Sequence, residues 1–384
     1  MTDLRAASRH LVPLLRERAA EAEAGARVPR DLSDRLGEAG LYRMLVPSAL
    51  GGAEAHPRLF AEVLETLATG DGAAAWVVMT GSTTGVLTAY LDEDAARGLL
   101  DAEPAAALAG VFAPTAMAVP EDGGYRVSGR WAYGSGAQNA AWIMGGALVP
   151  TAEGPRRLED GSVEIRSCFF RAADVTIHDT WKVSGLRGTG SHDLEVAEAF
   201  VPADRTVCLA ADAPRHDAPL YRFPVFGLLA TGVSAVGLGL AARALELAHE
   251  HAIGKTKIGS SKTLADSELV QIELARARGD LGAARAYLHS TLEATWESTA
   301  GGAPITVPQR AELRLAASHA ARAAAGVVDS CYSLCGGRAI WDRNPLSRIF
   351  RDVHVMTQHI MVGNQVDRAV GRIGLGLKTN TAQL

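Results

Sequence analysis

Apolar residues recur at helical spacing over both ends of the chain. Before residue 104 this pattern predicts helices over residues 5–24, 31–40, 59–69 and 73–91. From Pro224 onward it predicts longer helices over residues 224–252, 264–299, 308–335 and 346–371. The longer helices are joined by short connections that contain Gly and Pro, which is typical of an antiparallel four-helix bundle.

Short β-rich runs separate the two helical regions. They cover residues 108–113, 125–131, 142–149, 163–170 and 194–201, with glycine-rich and acidic turns between them. In the second run Tyr125 and Val127 alternate with Arg126 and Ser128, as expected of a half-buried strand. We therefore predict a mainly α protein with a central β domain. Its parts are a helical domain (1–104), a β domain (105–215) and a four-helix bundle (216–384).

Composition narrows the class of protein. The chain has 384 residues and a net charge of −5, and its charges are scattered along the chain. No basic stripe is available to neutralise phosphates, so nucleic acid is not an expected partner. Residues 223–242 carry no charge, but Pro224 and several glycines interrupt them, which favours a buried bundle helix over a membrane span. The N-terminus lacks an apolar signal segment, so we expect a cytoplasmic protein.

The cysteines do not form a recognisable metal or redox motif. They contain no CxxC pair and no histidine at zinc-finger spacing, so no metal site is expected; they are Cys168, Cys208, Cys331 and Cys335. Cys331 and Cys335 lie one helical turn apart and are interpreted as small buried residues on a shared face.

Two glycine-rich segments carry candidate binding residues. Residues 129–136 end a predicted strand, where Trp131 and Tyr133 could pack on a flat ligand and glycines beside Ser135 permit close backbone approach. Residues 181–191 combine glycines, hydroxyls and Trp181 in a loop with many exposed N–H groups. On composition alone, each could equally be a tight turn or a plain inter-strand connection.

His359 is the candidate acid–base group. On the predicted last helix it lies at the edge of a buried stripe formed by Ile349, Val353, Met356 and Ile360. At such an edge the pKa of an imidazole can be tuned, although a histidine satisfied in the core has the same pattern. Asp352 is two turns away, too far to orient the His359 ring directly.

Several motifs together resemble the acyl-CoA dehydrogenase superfamily. They are the Val46-Pro47 to Gly51-Gly52 loop, residues 181–191 followed by Ala199-Phe200-Val201-Pro202, and Cys335-Gly336-Gly337. This resemblance implies the same three-part fold, with a flavin bound between the β domain and the bundle. It also implies a homo-oligomer, usually a tetramer.

Within that superfamily, the chain resembles the two-component flavin-dependent monooxygenases. Residues 226–245 lack the glutamate base of the dehydrogenases, and the acid after the paired glycines, Asp342, lies in a loop that looks structural. Residues 344–352 ahead of Gln358-His359 are similar to the tail of the monooxygenases, and residues 133–136 and 187–191 are typical of them.

The resemblance implies that a separate reductase supplies reduced FMN or FAD, which reacts with O2 to form a C4a-hydroperoxyflavin. That species oxygenates a small organic substrate at an aromatic or polyketide carbon or an amine nitrogen. Ser135, near flavin N5, and His359 are the implied catalytic residues. The implied flavin contacts are Trp131, Tyr133, Gly134, Ser135, Trp181, Arg187, Thr189, Ser191, Gly336 and Gly337.

Two departures refine this expectation, and two alternatives stay open. Residues 77–85 lack the second histidine of some relatives, so that group cannot deprotonate a substrate. Residues 254–259 lack the arginine and Phe-Gly of FAD-binding relatives, which favours FMN. The alternatives are an acyl-CoA dehydrogenase with an unrecognised base and a catalytically silent scaffold of the same fold.

Overall fold

Helices occupy both ends of the chain in the computed structural model, which describes residues 3–256, 259, 261–382 and 384. The N-terminal helices are α1 (Leu4–Gly25), α2 (Arg30–Glu38), α3 (Pro57–Ala68), α4 (Gly72–Gly85) and α5 (Glu93–Leu100). The C-terminal helices are α6 (Val225–Gly254), α7 (Glu268–Ala300), α8 (Val307–Cys335), α9 (Pro345–Thr357) and α10 (Asn364–Gly374). The predicted mainly α fold with a central β region is confirmed, while the short helix α5 was not predicted.

The strands lie between these helical regions. They are β1 (Ala107–Glu121), β2 (Gly124–Gly134), β3 (Ala140–Leu148), β4 (Pro150–Thr151), β5 (Gly154–Pro155), β6 (Ile165–Arg171), β7 (Thr176–His178), β8 (His192–Pro202) and β9 (Thr206–Val207). A seven-stranded sheet has the order β7-β8-β2-β1-β3-β6-β9, and β4 and β5 form a separate pair. Strands β1 and β3 run parallel, and the other pairs are antiparallel. The alternation predicted for β2 is present, since Val127 is buried between the less buried Arg126 and Ser128.

Helix α6 is the central helix of the bundle, as its uncharged sequence predicts. It packs against α3, α4 and α8. By length and composition it could cross a membrane, but 83% of its most apolar window is buried inside the fold. Close packing requires glycine at position 239, where a Cβ atom would lie 2.2 Å from the Glu65 carbonyl oxygen of α3. The apolar run is therefore part of a protein core.

The prediction of one continuous helix over residues 346–371 is wrong. Helix α9 ends at Thr357 and α10 begins at Asn364, so His359 lies in the connection between them. The amides of Gln358 and His359 bond to carbonyls three residues back, which tightens the last turn and leaves the α-helical pattern. Ile360, predicted in the buried stripe, is consequently 55% exposed.

All four cysteines are free and buried, in agreement with their interpretation as small core residues. Burial raises the pKa of the Cys331 thiol to about 12 and that of Cys335 to about 11. Among the described residues no cluster of three or more His, Cys, Asp or Glu side chains could hold a metal ion. The argument for FMN rests on residues 254–259, of which Lys257 and Ile258 lie outside the described residues.

Candidate functional site

Trp76 joins three distant parts of the chain. The buried carboxylate of Asp71 caps α4 by accepting from the Ala74 amide, which fixes the start of the helix that carries Trp76. The indole Nε1 of Trp76 donates to Ser135 Oγ at 3.2 Å. Its ring also meets the His359 ring edge-on, with centroids 5.4 Å apart at 73°. The two predicted catalytic residues therefore both contact one buried indole.

Three buried hydroxyl groups continue from this indole. Ser135 Oγ lies 2.7 Å from Ser191 Oγ, which lies 2.6 Å from Thr189 Oγ1. Thr189 Oγ1 donates to the Leu186 carbonyl oxygen at 2.8 Å. The chain ends at the backbone of the second glycine-rich loop. It thus ties residues 129–136 to residues 181–191.

The 181–191 loop is held in an unusual backbone conformation at Leu186. This residue has φ 50°, in the left-handed region that non-glycine residues rarely adopt. Its carbonyl oxygen also accepts from Trp181 Nε1 at 3.2 Å, and its amide donates to Asp352 Oδ1 of α9 at 2.5 Å. Gly185 also packs closely against α9, since a Cβ atom at this position would lie 2.3 Å from the Arg351 backbone. The loop and α9 therefore form one tight seam.

Asp352 is a buried carboxyl group. Burial raises its pKa to about 7, and the Leu186 amide opposes this shift by bonding to the charged form. Asp71, whose pKa burial also raises, adds a smaller upward effect, while Arg348 acts in the opposite direction. The structure thus shows a role for Asp352 that is independent of the His359 ring.

His359 is neutral over the physiological pH range. Burial, together with a smaller effect of the positive charge of Arg314, lowers its pKa to about 4. The Met361 amide donates to His359 Nδ1 at 3.2 Å, so the ring hydrogen of the neutral imidazole resides on Nε2. His359 can therefore offer one N–H donor beside Trp76.

The predicted flavin contacts are only partly brought together. Ser135, Thr189 and Ser191 share the hydroxyl chain, and Trp181 bonds to its terminal carbonyl. Tyr133 is 70% exposed and meets Trp181 edge-on, with ring centroids 6.2 Å apart.

The three predicted glycine contacts and Arg187 lie at the edge of this cluster or beyond it. Gly134 is needed for packing, since its Cβ would lie 2.5 Å from the Leu194 side chain. Arg187 is exposed on the same loop as Leu186. Gly336 and Gly337 lie exposed just after α8, and Gly336 has a left-handed φ of 53°.

The structure does not place Trp131 at the predicted flavin site. Its ring is 1% exposed in the core of the sheet, where Nε1 donates to the Gly146 carbonyl oxygen at 2.8 Å. It packs against Phe170, so it stabilises the sheet and does not face the hydroxyl chain.

The hydrogen-bond acceptors of this site suit a reduced flavin. Ser135 Oγ accepts one bond from Trp76 and keeps a second acceptor lone pair, and no further donor to it is found in the described part of the chain. Gln138 Oε1 is buried without a hydrogen-bond partner among the described residues, close to Gly190 of the second loop. A reduced flavin carries ring N–H groups that could satisfy such acceptors. The half-buried Trp181 adds an apolar wall.

Sequence reasoning missed Trp76, Leu186 and Asp352 as parts of this site. Trp76 lies in a helix that is buried nearly all round, so periodicity could not distinguish it from the core. Asp352 gave a weak signal, namely a lone acid on a helix face otherwise lined by Ile349, Val353 and Met356. Leu186 gave none.

Both ends of the chain match models of known protein families. The N-terminal domain of acyl-CoA dehydrogenase matches residues 4–100, and its C-terminal domain matches residues 231–364. The indole-3-acetate monooxygenase of Pseudomonas putida is 33% identical over 361 residues, covering 94% of this chain and 90% of that protein. HsaA of Rhodococcus jostii, the oxygenase subunit of a flavin-dependent monooxygenase, is 29% identical over 95% of this chain and 96% of its own.

Solved structures agree along the whole chain. The 3-HSA hydroxylase from Rhodococcus sp. RHA1 superposes with a TM-score of 0.91 at 28% identity, covering 100% of this chain and 99% of that one. XiaF from Streptomyces sp., in complex with FADH2 and glycerol, gives 0.90 at 25% identity, covering 98% and 96%.

Proposed function

Since this chain belongs to the flavin-dependent monooxygenases of the acyl-CoA dehydrogenase superfamily, we propose that it oxygenates a ring carbon of a small, electron-rich aromatic compound. The enzyme uses reduced flavin and O2, and as the oxygenase of a two-component system it receives the flavin from a separate reductase. The observation that carries the proposal is the meeting of the buried Ser135 and Trp76 with the half-buried His359 in one cluster.

Each residue of the cluster has a distinct proposed task. Reduced flavin supplies the two electrons with which one oxygen atom enters the substrate and the other leaves as water. Ser135 accepts a hydrogen bond at the N5 edge of the flavin. His359, neutral and protonated on Nε2, donates a hydrogen bond to oxygen beside the ring and so supports transfer to the substrate. The indole of Trp76 keeps the two groups in register and excludes water.

Helix α4 indicates what kind of ring is attacked. It carries Trp76 into the site but contains no titratable side chain. Its hydroxyls on Thr80, Thr83 and Thr84 bond back to carbonyls of the same helix. A phenol that must first lose its proton therefore lacks a base from this side. A ring activated by its own nitrogen, such as an indole, needs none, and a relative is named for indole-3-acetate.

The test is turnover of His359→Ala with reduced flavin, O2 and an indole substrate. We expect flavin binding within about threefold of the unchanged protein, and product yield per O2 lowered by tenfold or more, with hydrogen peroxide released instead. The matched control is His354→Ala, since His354 lies on α9 and pairs at 2.9 Å with the exposed Asp329. Unchanged product yield in His359→Ala would remove His359 from the reaction.

Further parts of the proposal concern the flavin and the assembly. We propose reduced FMN as the preferred flavin, with reduced FAD as the alternative; competitive titration with both decides between them. The division at residues 104 and 215 stays a prediction, as does a cytoplasmic location. Large apolar side chains exposed near Gly336 and at the C-terminus support a homotetramer, which sedimentation tests; they are Ile340, Trp341, Leu375 and Leu377.

A further inference from the structure

The hydroxyl chain between Trp76 and Leu186 has only one possible direction. An indole N–H can only donate, and a backbone carbonyl can only accept. Each hydroxyl between them has a single hydrogen. Thr189 Oγ1 and the Leu186 carbonyl oxygen are 2.8 Å apart, so the Thr189 hydrogen must lie between these two acceptors.

The remaining hydrogens follow from this end. Because Thr189 has spent its hydrogen, the 2.6 Å contact requires Ser191 to donate to Thr189. Because Ser191 has then spent its own, the 2.7 Å contact requires Ser135 to donate to Ser191. The Trp76 bond is compatible with this order, since Ser135 can accept from the indole while it donates to Ser191. Ser135 thus has no hydrogen left for a ligand and can only accept.

We propose that this fixed direction makes Ser135 a redox-state selector, with Ser191 and Thr189 as the positioning residues that impose it. The inference rests on the proposed function, in which Ser135 faces flavin N5. N5 carries a hydrogen in reduced flavin and a bare lone pair in oxidised flavin. The Ser135 lone pair therefore attracts N5 of the reduced form and repels N5 of the oxidised form.

This selection matches the needs of an enzyme that takes up reduced flavin and must let oxidised flavin go. A free serine hydroxyl would adapt to either form by rotating its hydrogen. Here, rotation of the Ser135 hydroxyl toward the flavin would leave Ser191 Oγ without its hydrogen-bond donor. Ser191 is only 4% exposed, so water could not replace that donor and the rotation is costly. We expect the chain to be worth roughly tenfold in the ratio of dissociation constants for oxidised and reduced flavin, about 1.4 kcal/mol.

The experiment measures that ratio and does not depend on turnover. FMN is titrated into the protein in its oxidised form, and anaerobically in its reduced form. In Ser191→Ala, Ser135 regains a free hydrogen, so oxidised FMN should bind more tightly and the ratio should fall about tenfold. The midpoint potential of bound FMN falls with it by about 30 mV, the two-electron equivalent of tenfold. Thr189→Val should act in the same direction, because Ser191 can then donate to Ser135.

Thr189→Ser is the matched control, because it keeps the hydroxyl and should keep the ratio within about twofold. Thermal unfolding of every variant without flavin verifies that each is folded. A purely structural role for Ser191 would weaken binding of both flavin forms alike and leave the ratio unchanged; that result overturns the inference. Failure of the unchanged protein to bind either form would instead overturn the proposed function.

Discussion

Removing the Asp352 carboxyl should release the 181–191 loop from α9. In Asp352→Ala the buried amide of Leu186 loses its 2.5 Å acceptor. An unsatisfied buried donor costs about 1–3 kcal/mol. The left-handed backbone of Leu186 holds about 1–2 kcal/mol of strain, which the loop recovers if it relaxes. We therefore expect a loss of at most about 1–3 kcal/mol, lowered by the strain that the loop recovers, and the loop should open before the protein unfolds.

Asp352→Asn is the matched control, because its amide oxygen can still accept from the Leu186 amide. It also gives the pH dependence. The pKa of Asp352 rises from 3.8 in the unfolded chain to about 7 in the fold, because burial disfavours the charge. The stability that this group contributes is therefore fully present below pH 3.8 and is lost as pH rises through 7. Between pH 3.8 and about 7, the free energy of unfolding of Asp352→Asn should rise relative to that of the unchanged protein, by at most about 1.4 kcal/mol per pH unit.

The assay is hydrogen exchange followed by mass spectrometry on peptides that cover residues 181–191, alongside thermal unfolding. Asp352→Ala should exchange faster in this loop and melt lower by a few degrees, on the order of 2 °C per kcal/mol. Asp352→Asn should show the exchange of the unchanged protein. Equal protection of the loop in Asp352→Ala would refute the reasoning, since the loop would then be held by other contacts.

Two further substitutions test neighbouring contacts. Trp76→Phe removes the indole donor to Ser135, so stability should fall by about 1 kcal/mol or more. The ratio of dissociation constants for oxidised and reduced FMN should nevertheless stay within about twofold, because the Leu186 end alone sets the direction of the hydroxyl chain. A tenfold change in the titrated ratio would contradict that order. Gly185→Ala places a Cβ atom 2.3 Å from the Arg351 backbone, so loop exchange should accelerate as in Asp352→Ala. Its control is Gly282→Ala on an open face of α7, which should raise stability by about 0.5–1 kcal/mol in thermal unfolding.

Local patterns were sufficient for most of the secondary structure. Helical periodicity predicted α6, α7 and α8 to within a few residues, because each is long and buries a continuous face. The same pattern failed at residues 358–363, where apolar residues continue at helical spacing after the helix has ended. A side chain takes part in the backbone hydrogen bonding there, since His359 Nδ1 accepts a hydrogen bond from the Met361 amide. Spacing records which residues are apolar, but not where backbone amides find their acceptors.

The candidate site likewise contains features that the sequence could predict and features that it could not. Ser135, Thr189 and Ser191 could be singled out because hydroxyls between glycines are unusual within a short segment. The order of their hydroxyl groups along the hydrogen-bonded chain could not be predicted, since it depends on a contact between residues 56 positions apart in the sequence. Trp131 was misassigned because an aromatic residue beside a glycine-rich turn fits a ligand wall and a sheet core equally well. Only its bond to the Gly146 carbonyl distinguishes the two.

The site exists only when all three regions of the chain are packed together. Trp76 comes from α4, the hydroxyls from the strand ends of the sheet, and His359 from the turn after α9. The Asp352 bond to Leu186 locks the last two regions at the backbone, and the Trp76 bond to Ser135 locks the first two. A mobile joint at Leu186 would let the Ser135 hydroxyl turn, and a mobile joint at Trp76 would admit water beside His359. Strain at Leu186 is therefore tolerated where it fixes the direction of a hydrogen bond, which is the property that the proposed chemistry needs.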